Sequence, residues 1–279
     1  MSSLFMRYPG NKAKALTLSY DDGVEQDERL MRILDKHGIK CTFNINSGTF
    51  TPEGTVFETG RIHRIMTEKV AVELYRDSGH EVAVHGLTHP WLEQLPTNIA
   101  TYEIIQDRLN LERLFQRTIR GMAYPFGTFN DDVVAILKSA GIVYSRTVMD
   151  TEDFKLPTDW LRLPATCHHK NPKLQALTDR FITQTPKWEP WLFYLWGHSY
   201  EFEAEDNWNV IEDFSERIGG KSDIWYATNI QIYDYVEAYH RLQFSVDASI
   251  VHNPTSLTLY FEYSNQSYEI APGDTLRLN

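Results

Sequence analysis

Residues 15–23 read ALTLSYDDG, an apolar run that stops abruptly at two adjacent carboxylates, Asp21 and Asp22, followed by Gly23. Two like charges side by side repel, so the pair needs either full solvation or a cation that neutralises one member. Taken alone the stretch reads equally well as a solvated Asp-Gly turn. Working outward, a helix is expected from Asp27, where Leu30, Ile33, Leu34 and His37 recur at helical spacing and Gly38 supplies the stop. Further short apolar runs follow at 41–45, 81–84, 142–148 and 193–196. Between them lie amphipathic stretches: 67–78, with Val70 and Leu74 facing inward; 98–115, with Ile99, Tyr102, Ile105, Leu109 and Phe115 on the packing side; and 131–140, capped by Asn130.

Strands alternating with crossover helices over about 240 residues define an α/β fold. From Phe244 the pattern changes to FSVDASIV, SLTLYFEYS and QSYEIAPGDTLRLN, which alternate apolar and polar residues between turn signals. These read as antiparallel strands too few to stand alone. The expected organisation is a barrel over 1–243 with a small β appendage over 244–279.

Composition narrows the function. The chain has 279 residues, 42% of them hydrophobic and 23% charged, as in a globular protein. Lys and Arg number 27 against 38 Asp and Glu, a net charge of −11, opposite to the basic footprint that nucleic acid requires. No window supplies the roughly 20 apolar residues of a membrane helix. The first twenty residues lack an apolar segment, so a cytoplasmic protein is expected, unless a leader has been removed. The two cysteines, Cys41 and Cys167, are expected as buried thiols. Oligomeric state is not legible.

Two more stretches carry chemistry. In GHEVAVHGLTHPWL, His85 leaves a strand and His89 follows four residues later, spacing that lets two imidazoles converge on one ion. Joined with Asp22 they make a two-histidine, one-carboxylate set that leaves a coordination position open. In FYLWGHSYEFE another strand ends in His198. All of these lie at C-terminal ends of strands, where α/β barrels assemble active sites.

These stretches resemble the polysaccharide deacetylases of carbohydrate esterase family four. LTLSYDDG is similar to their first motif, GHEVAVHGLTHP to their second, and WGHS to their final histidine motif, in order and spacing across about residues 15–243. The resemblance implies a distorted (β/α) barrel of fewer than eight repeats and one divalent metal ion, zinc or else cobalt, nickel or manganese, on Asp22, His85 and His89. It implies Asp21 as catalytic base, His198 as general acid, and the backbone N–H near Phe126, in the AYPFG turn with Tyr124, as the oxyanion donor. The implied partner is a carbohydrate. Hydrolysis of an amide asks for the same groups: an activated water, a base, an oxyanion donor and an acid for the poor amine leaving group.

The chain also departs from that pattern. Where the third motif has an arginine that tethers the base, this chain has Ala123; Arg120, three residues earlier, points to the other face of an extended strand. The Asp-Trp of the fourth motif has two candidates, Asp153-Phe154 and Asp159-Trp160. A non-sugar C–N hydrolase and a carbohydrate-binding pseudoenzyme therefore stand as alternative readings. Cys167, His168 and His169 read as a loop cluster rather than a second metal site. Trp160 and Tyr200 are placed near the cleft as possible sugar contacts, while Trp91, Trp196 and Trp225 read mainly as core.

Overall fold

The computed structural model describes residues 3–278. Its parallel strands are β2 (Lys14–Asp21), β3 (Cys41–Ile45), β4 (Glu81–Val84), β5 (Gly121–Ala123), β6 (Tyr144–Asp150), β7 (Leu163–Ala165), β8 (Cys167–His168), β9 (Trp191–Gly197) and β10 (Ile224–Tyr226). The order is β7-β6-β5-β4-β3-β2-β9-β8, with β10 on β2. The ring closes through a single run: residues 163–168 pair with β6 at one end, through β7, and with β9 at the other, through β8. The result is a distorted barrel with fewer than eight strand positions. Because every pairing is parallel, all the strand C-termini open at one end.

Alternation along β2 sorts its side chains. Leu16, Leu18 and Tyr20 pack outward under the helices, whereas Thr17, Ser19 and Asp21 enter a polar interior. There Thr17 donates to Asn229 Oδ1 at 2.7 Å, and Asn44 donates to Ser19 Oγ and Asp21 Oδ1, both at 2.8 Å. Around the ring lie α1 (Asp27–Lys36), α2 (Glu68–Tyr75), α3 (Thr97–Phe115), α4 (Asp131–Ser139), α5 (Leu174–Thr183), the short α6 (Tyr200–Ala204), α7 (Asn209–Ile218) and α8 (Asn229–His240). Gly38 ends α1 at φ +66°, and Asn130 caps α4 by accepting from Val133 N, both as the sequence indicates.

Two helix faces differ from expectation. On α2 the buried residues are Ala71 and Tyr75, while Val70 is exposed. On α3 it is Ala100, Glu103, Ile104, Asp107, Leu111 and Phe115 that face inward, leaving Ile99, Tyr102, Ile105 and Leu109 exposed. The cause on α3 is polar. Asp107 accepts from Ser47 N at 2.8 Å and His85 N at 3.1 Å, and Glu103 from Thr88 N at 2.8 Å, so these acids turn inward to hold loop backbone that would otherwise be unpaired.

The antiparallel strands of the tail are β11 (Gln243–Phe244), β12 (Ile250–His252), β13 (Leu259–Tyr263), β14 (Gln266–Ile270) and β15 (Thr275–Arg277). A strand that the sequence reading missed, β1 (Leu4–Arg7), pairs with β13, so both ends of the chain build the appendage. Its side chains pack with Ile232, Tyr235 and Val236 of α8 and with Ala15 and Leu192 at the N-terminal ends of β2 and β9. Cys41 and Cys167 are free and buried. No described helix is long and apolar enough to cross a membrane.

Asp27 at the start of α1 is fully buried and accepts from Ser199 Oγ at 2.5 Å and Tyr75 Oη at 2.6 Å. Burial pushes its carboxyl up to about 7 despite those bonds. The folded protein therefore holds this proton more tightly than the unfolded chain does. Its contribution to stability is full below about pH 4 and is lost as pH rises to about 7. The stability difference between wild type and Asp27→Asn should fall across that window at up to about 1.4 kcal/mol per pH unit, read from urea melts at pH 4 to 8; a pH-independent difference would contradict the shift.

Candidate active site

At the open end of the ring, β2 delivers Asp21 and Asp22, β4 leads into His85 and His89, and β9 leads into His198. Asp22 and His89 occupy left-handed backbone at φ +82° and +58°, as does Phe126 at +57°. Strain of this kind costs on the order of 1 kcal/mol or more per residue and collects where side chains must be aimed against local preference. Ligand atoms of Asp22, His85 and His89 all lie within 4.8 Å of one another. His85 Nε2 is 3.6 Å from Asp22 Oδ1 and 3.8 Å from Asp21 Oδ2, and His89 Nε2 is 3.8 Å from Asp22 Oδ1.

The donor set fits a cation. His85 is buried, its Nδ1 bonds to Ala123 O at 2.8 Å, and its Nε2 has no hydrogen-bond partner. A carbonyl can only accept, so Nδ1 carries the proton and the Nε2 lone pair faces the two aspartates, the arrangement in which histidine binds metal. His63, in the loop before α2, bonds Asp22 Oδ2 at 3.0 Å and leaves Oδ1 to the histidines. Burial pushes the Asp22 carboxyl up, but His63 and the surrounding imidazoles outweigh it and hold the group below the usual range. Burial, aided by His85, takes His89 down to about 4.

Asp21 is 2% exposed and forms an ion pair with Arg146 of β6, itself fully buried. Burial raises the Asp21 carboxyl, yet Arg146, His85 and His198 together keep it below its ordinary value. Arg146 lies directly across the strand pair from Ala123, and its guanidinium carbon sits 4.4 Å from the Trp196 ring centroid. The guanidinium expected on β5 is thus supplied by the neighbouring strand. Arg120 pairs instead with Asp234 of α8 at 2.6 Å.

His198 Nε2 is 3.8 Å from Asp21 Oδ2, and its Nδ1 is 3.2 Å from Glu201 Oε2. Burial lowers the imidazole's pKa, but Glu201 and the two aspartates raise it by more. Neither Asp153 nor Asp159 takes this position. Asp153 lies by Lys155 and Arg180, and Asp159 caps the turn at Leu161 and binds Arg162.

Of the residues expected as substrate contacts, Tyr200 stands beside the cluster, its ring 4.8 Å from His63 and 5.3 Å from His198. Phe126 is 43% exposed, edge-on to His89 at 4.5 Å and stacked on the exposed Trp91 at 3.8 Å. Tyr124 and Trp160 differ from expectation. Tyr124 is buried and donates to Leu161 O at 2.7 Å. Trp160 packs edge-on against Tyr233 of α8, in clusters that include Tyr144 and the appendage. The sequence reading missed Arg146, Glu201 and His63. Only Arg146 carried a signal, as the one charged residue in the run 142–148, where a buried charge must find a partner.

Residues 9–145 match the family model described as polysaccharide deacetylase. A chitooligosaccharide deacetylase of Bradyrhizobium sp. (strain ANU 289) is 26% identical over 152 residues, covering 53% of this chain and 60% of that protein. Another, from Sinorhizobium fredii (strain NBRC 101917 / NGR234), is 22% identical over 151 residues, covering 53% and 63%. The chain thus spans 60% and 63% of the length of these two curated relatives. A solved structure of a putative polysaccharide deacetylase from Mycobacterium smegmatis superposes with a TM-score of 0.57 at 17% identity, covering 84% of this chain and 93% of that one. At this identity the likeness shows the fold alone.

Removing Arg146 would leave Asp21 buried without a counter-charge. Arg146→Met should cost about 3–5 kcal/mol in chemical denaturation, and adding Asp21→Asn to it should restore much of the loss. Strictly additive effects would show that the two residues are not coupled.

Proposed function

Residues 9–145 of this chain belong to the polysaccharide deacetylase family, and from that premise we propose that the protein hydrolyses the N-acetyl, or a similar acyl, group of an amino sugar in a carbohydrate. The observation that carries the reading is the convergence of Asp21, Asp22, His85, His89 and His198 at one end of the barrel. The likeness to two chitooligosaccharide deacetylases makes chitooligosaccharides the substrate class to test first.

Asp22, His85 and His89 would hold one divalent ion, with zinc the first candidate for two imidazoles and a carboxylate. When bound, such an ion supplies Lewis acidity, bringing the pKa of water from about 15.7 to about 7 and polarising a carbonyl. Asp21, kept ionised by Arg146, accepts the proton of the water whose oxygen attacks the acyl carbon. The Phe126 N–H, held in a left-handed turn at the rim, is the backbone donor for the acyl oxygen as charge builds there. His198 gives its Nε2 proton to the amide nitrogen as the C–N bond breaks, so that an amine departs rather than an amide anion. Acetate and the free amino sugar leave, and the proton gained by Asp21 balances the one lost by His198. Tyr200 and the Trp91–Phe126 pair flank the opening and offer ring faces to a sugar.

Zinc- or cobalt-loaded protein should release acetate from N-acetylglucosamine oligomers. Asp21→Asn should lower turnover by at least about 10²-fold while metal analysis still finds one ion per chain. Undiminished turnover in that variant would reject Asp21 as the base.

His63→Ala should weaken ion binding about 10- to 100-fold in competition with a chelator, because it frees Asp22 to rotate. Unchanged affinity would remove His63 from the site.

A further inference from the structure

Glu201, three residues beyond His198 at the start of α6, is surrounded by donors. Its Oε2 lies 3.2 Å from His198 Nδ1, 3.2 Å from His168 Nε2 and 3.3 Å from His169 Nε2, and it accepts from the His198 backbone N–H at 3.2 Å. Its Oε1 lies 2.8 Å from Lys170 Nζ, which also reaches Glu205 at 2.5 Å. His168, the last residue of β8, and Lys170 therefore converge on the carboxylate that bonds His198 Nδ1, while neither ring nitrogen of the buried His169 has a hydrogen-bond partner.

His168, His198 and Glu201 are close enough to hold an ion, and the tautomer of His168 argues against it. The backbone N–H of Lys170 donates to His168 Nδ1 at 3.1 Å. Neutral His168 then carries its proton on Nε2, where it points at Glu201, and a protonated nitrogen is not a ligand. The Lys170 ammonium on the same carboxylate repels any further cation. His169 is fixed equally firmly: it is buried, it stacks on Tyr20 and Phe202, and a Cβ added at Gly197 would lie 2.0 Å from its Nδ1. Its Nε2 faces Glu201 at 3.3 Å without a hydrogen bond, so His169 packs against the carboxylate rather than holding it.

We propose that His168 and Lys170 are positioning residues that act through Glu201 to lock His198 with a proton on Nδ1 and Nε2 directed at Asp21. A carboxylate held from several sides cannot rotate to accept at a different angle, so the imidazole it binds keeps one orientation. The Nδ1 proton stays with Glu201, and the Nε2 proton is the one available for transfer. The kinetic part of this inference rests on the reading of His198 as the acid; the part concerning its tautomer does not.

The full chain labelled with 15N-histidine tests both. In wild type, the His198 signals should report a protonated Nδ1, and Glu201→Gln should shift the ring toward the Nε2–H tautomer. Cobalt titration should give one ion per chain in both proteins. On chitin oligomers, Glu201→Gln should lower kcat about 10²-fold with KM within about twofold. His168→Gln, which retains a donor, should keep more of kcat than His168→Ala, with circular dichroism confirming that each variant folds. An unchanged His198 tautomer in Glu201→Gln overturns the proposal, as does a second cobalt ion in wild type that this variant loses. Should the unaltered protein release no acetate, the hydrolytic reading fails while the spectra still decide this one.

Discussion

A carboxylate sealed inside a ring of strands is tolerable only if a counter-charge is sealed in with it. Asp21 and Arg146 meet that condition across the barrel interior, and the arginine is in turn covered by the Trp196 ring. Much else depends on this pair. It keeps ionised the group best placed to take a proton. It also ties β2 to β6, two strands with three others between them in the sheet, so the ring must be closed for the charges to meet. The polar interior around the pair, with Asn44, Ser19, Thr17 and Asn229, gives several of the buried groups partners, although Asn44 Oδ1 and Arg146 Nε have no hydrogen-bond partner.

The site is then an outcome of parallel topology. When all strands run one way, the loops that follow them gather on one rim, and residues far apart in sequence meet there without long excursions. Several groups in the cluster are backed from behind: His85 by a carbonyl of β5, its loop by Asp107 and Glu103 of α3, Asp22 by His63, and His198 by Glu201. The exposed apolar stripe on α3 follows from the same demand. Two buried acids had to face the loops, and the helix rotated accordingly.

Motif-bearing positions were legible in the sequence because their chemistry is local. A strand ending in two aspartates, a histidine pair four apart and a strand ending in histidine each announce themselves within ten residues, and the alternation of short apolar runs with longer amphipathic ones disclosed the layered fold. Positions defined by register were not legible. That Arg146 stands opposite Ala123 depends on how β5 and β6 align, which no local pattern states. The inward face of α3 was misread because hydrophobic spacing was counted and the backbone partners of Glu103 and Asp107 could not be. Tyr124 and Trp160 were drawn toward the cleft by their neighbours in sequence, whereas packing turned both into the protein.

One consequence concerns the order in which the chain is made. Among the described residues β1 pairs with β13 alone, and Arg7 closes on Glu262 across a separation of 255 residues. At a synthesis rate of about 5–20 residues per second, residues 4–7 wait on the order of 10 to 50 seconds for that partner to emerge. Throughout that interval the edge that β1 will join has yet to be translated, and Ala15, an apolar residue of the same cluster, lacks its final cover. The barrel can assemble during elongation, but the pairing of β1 must wait for residues 259–263.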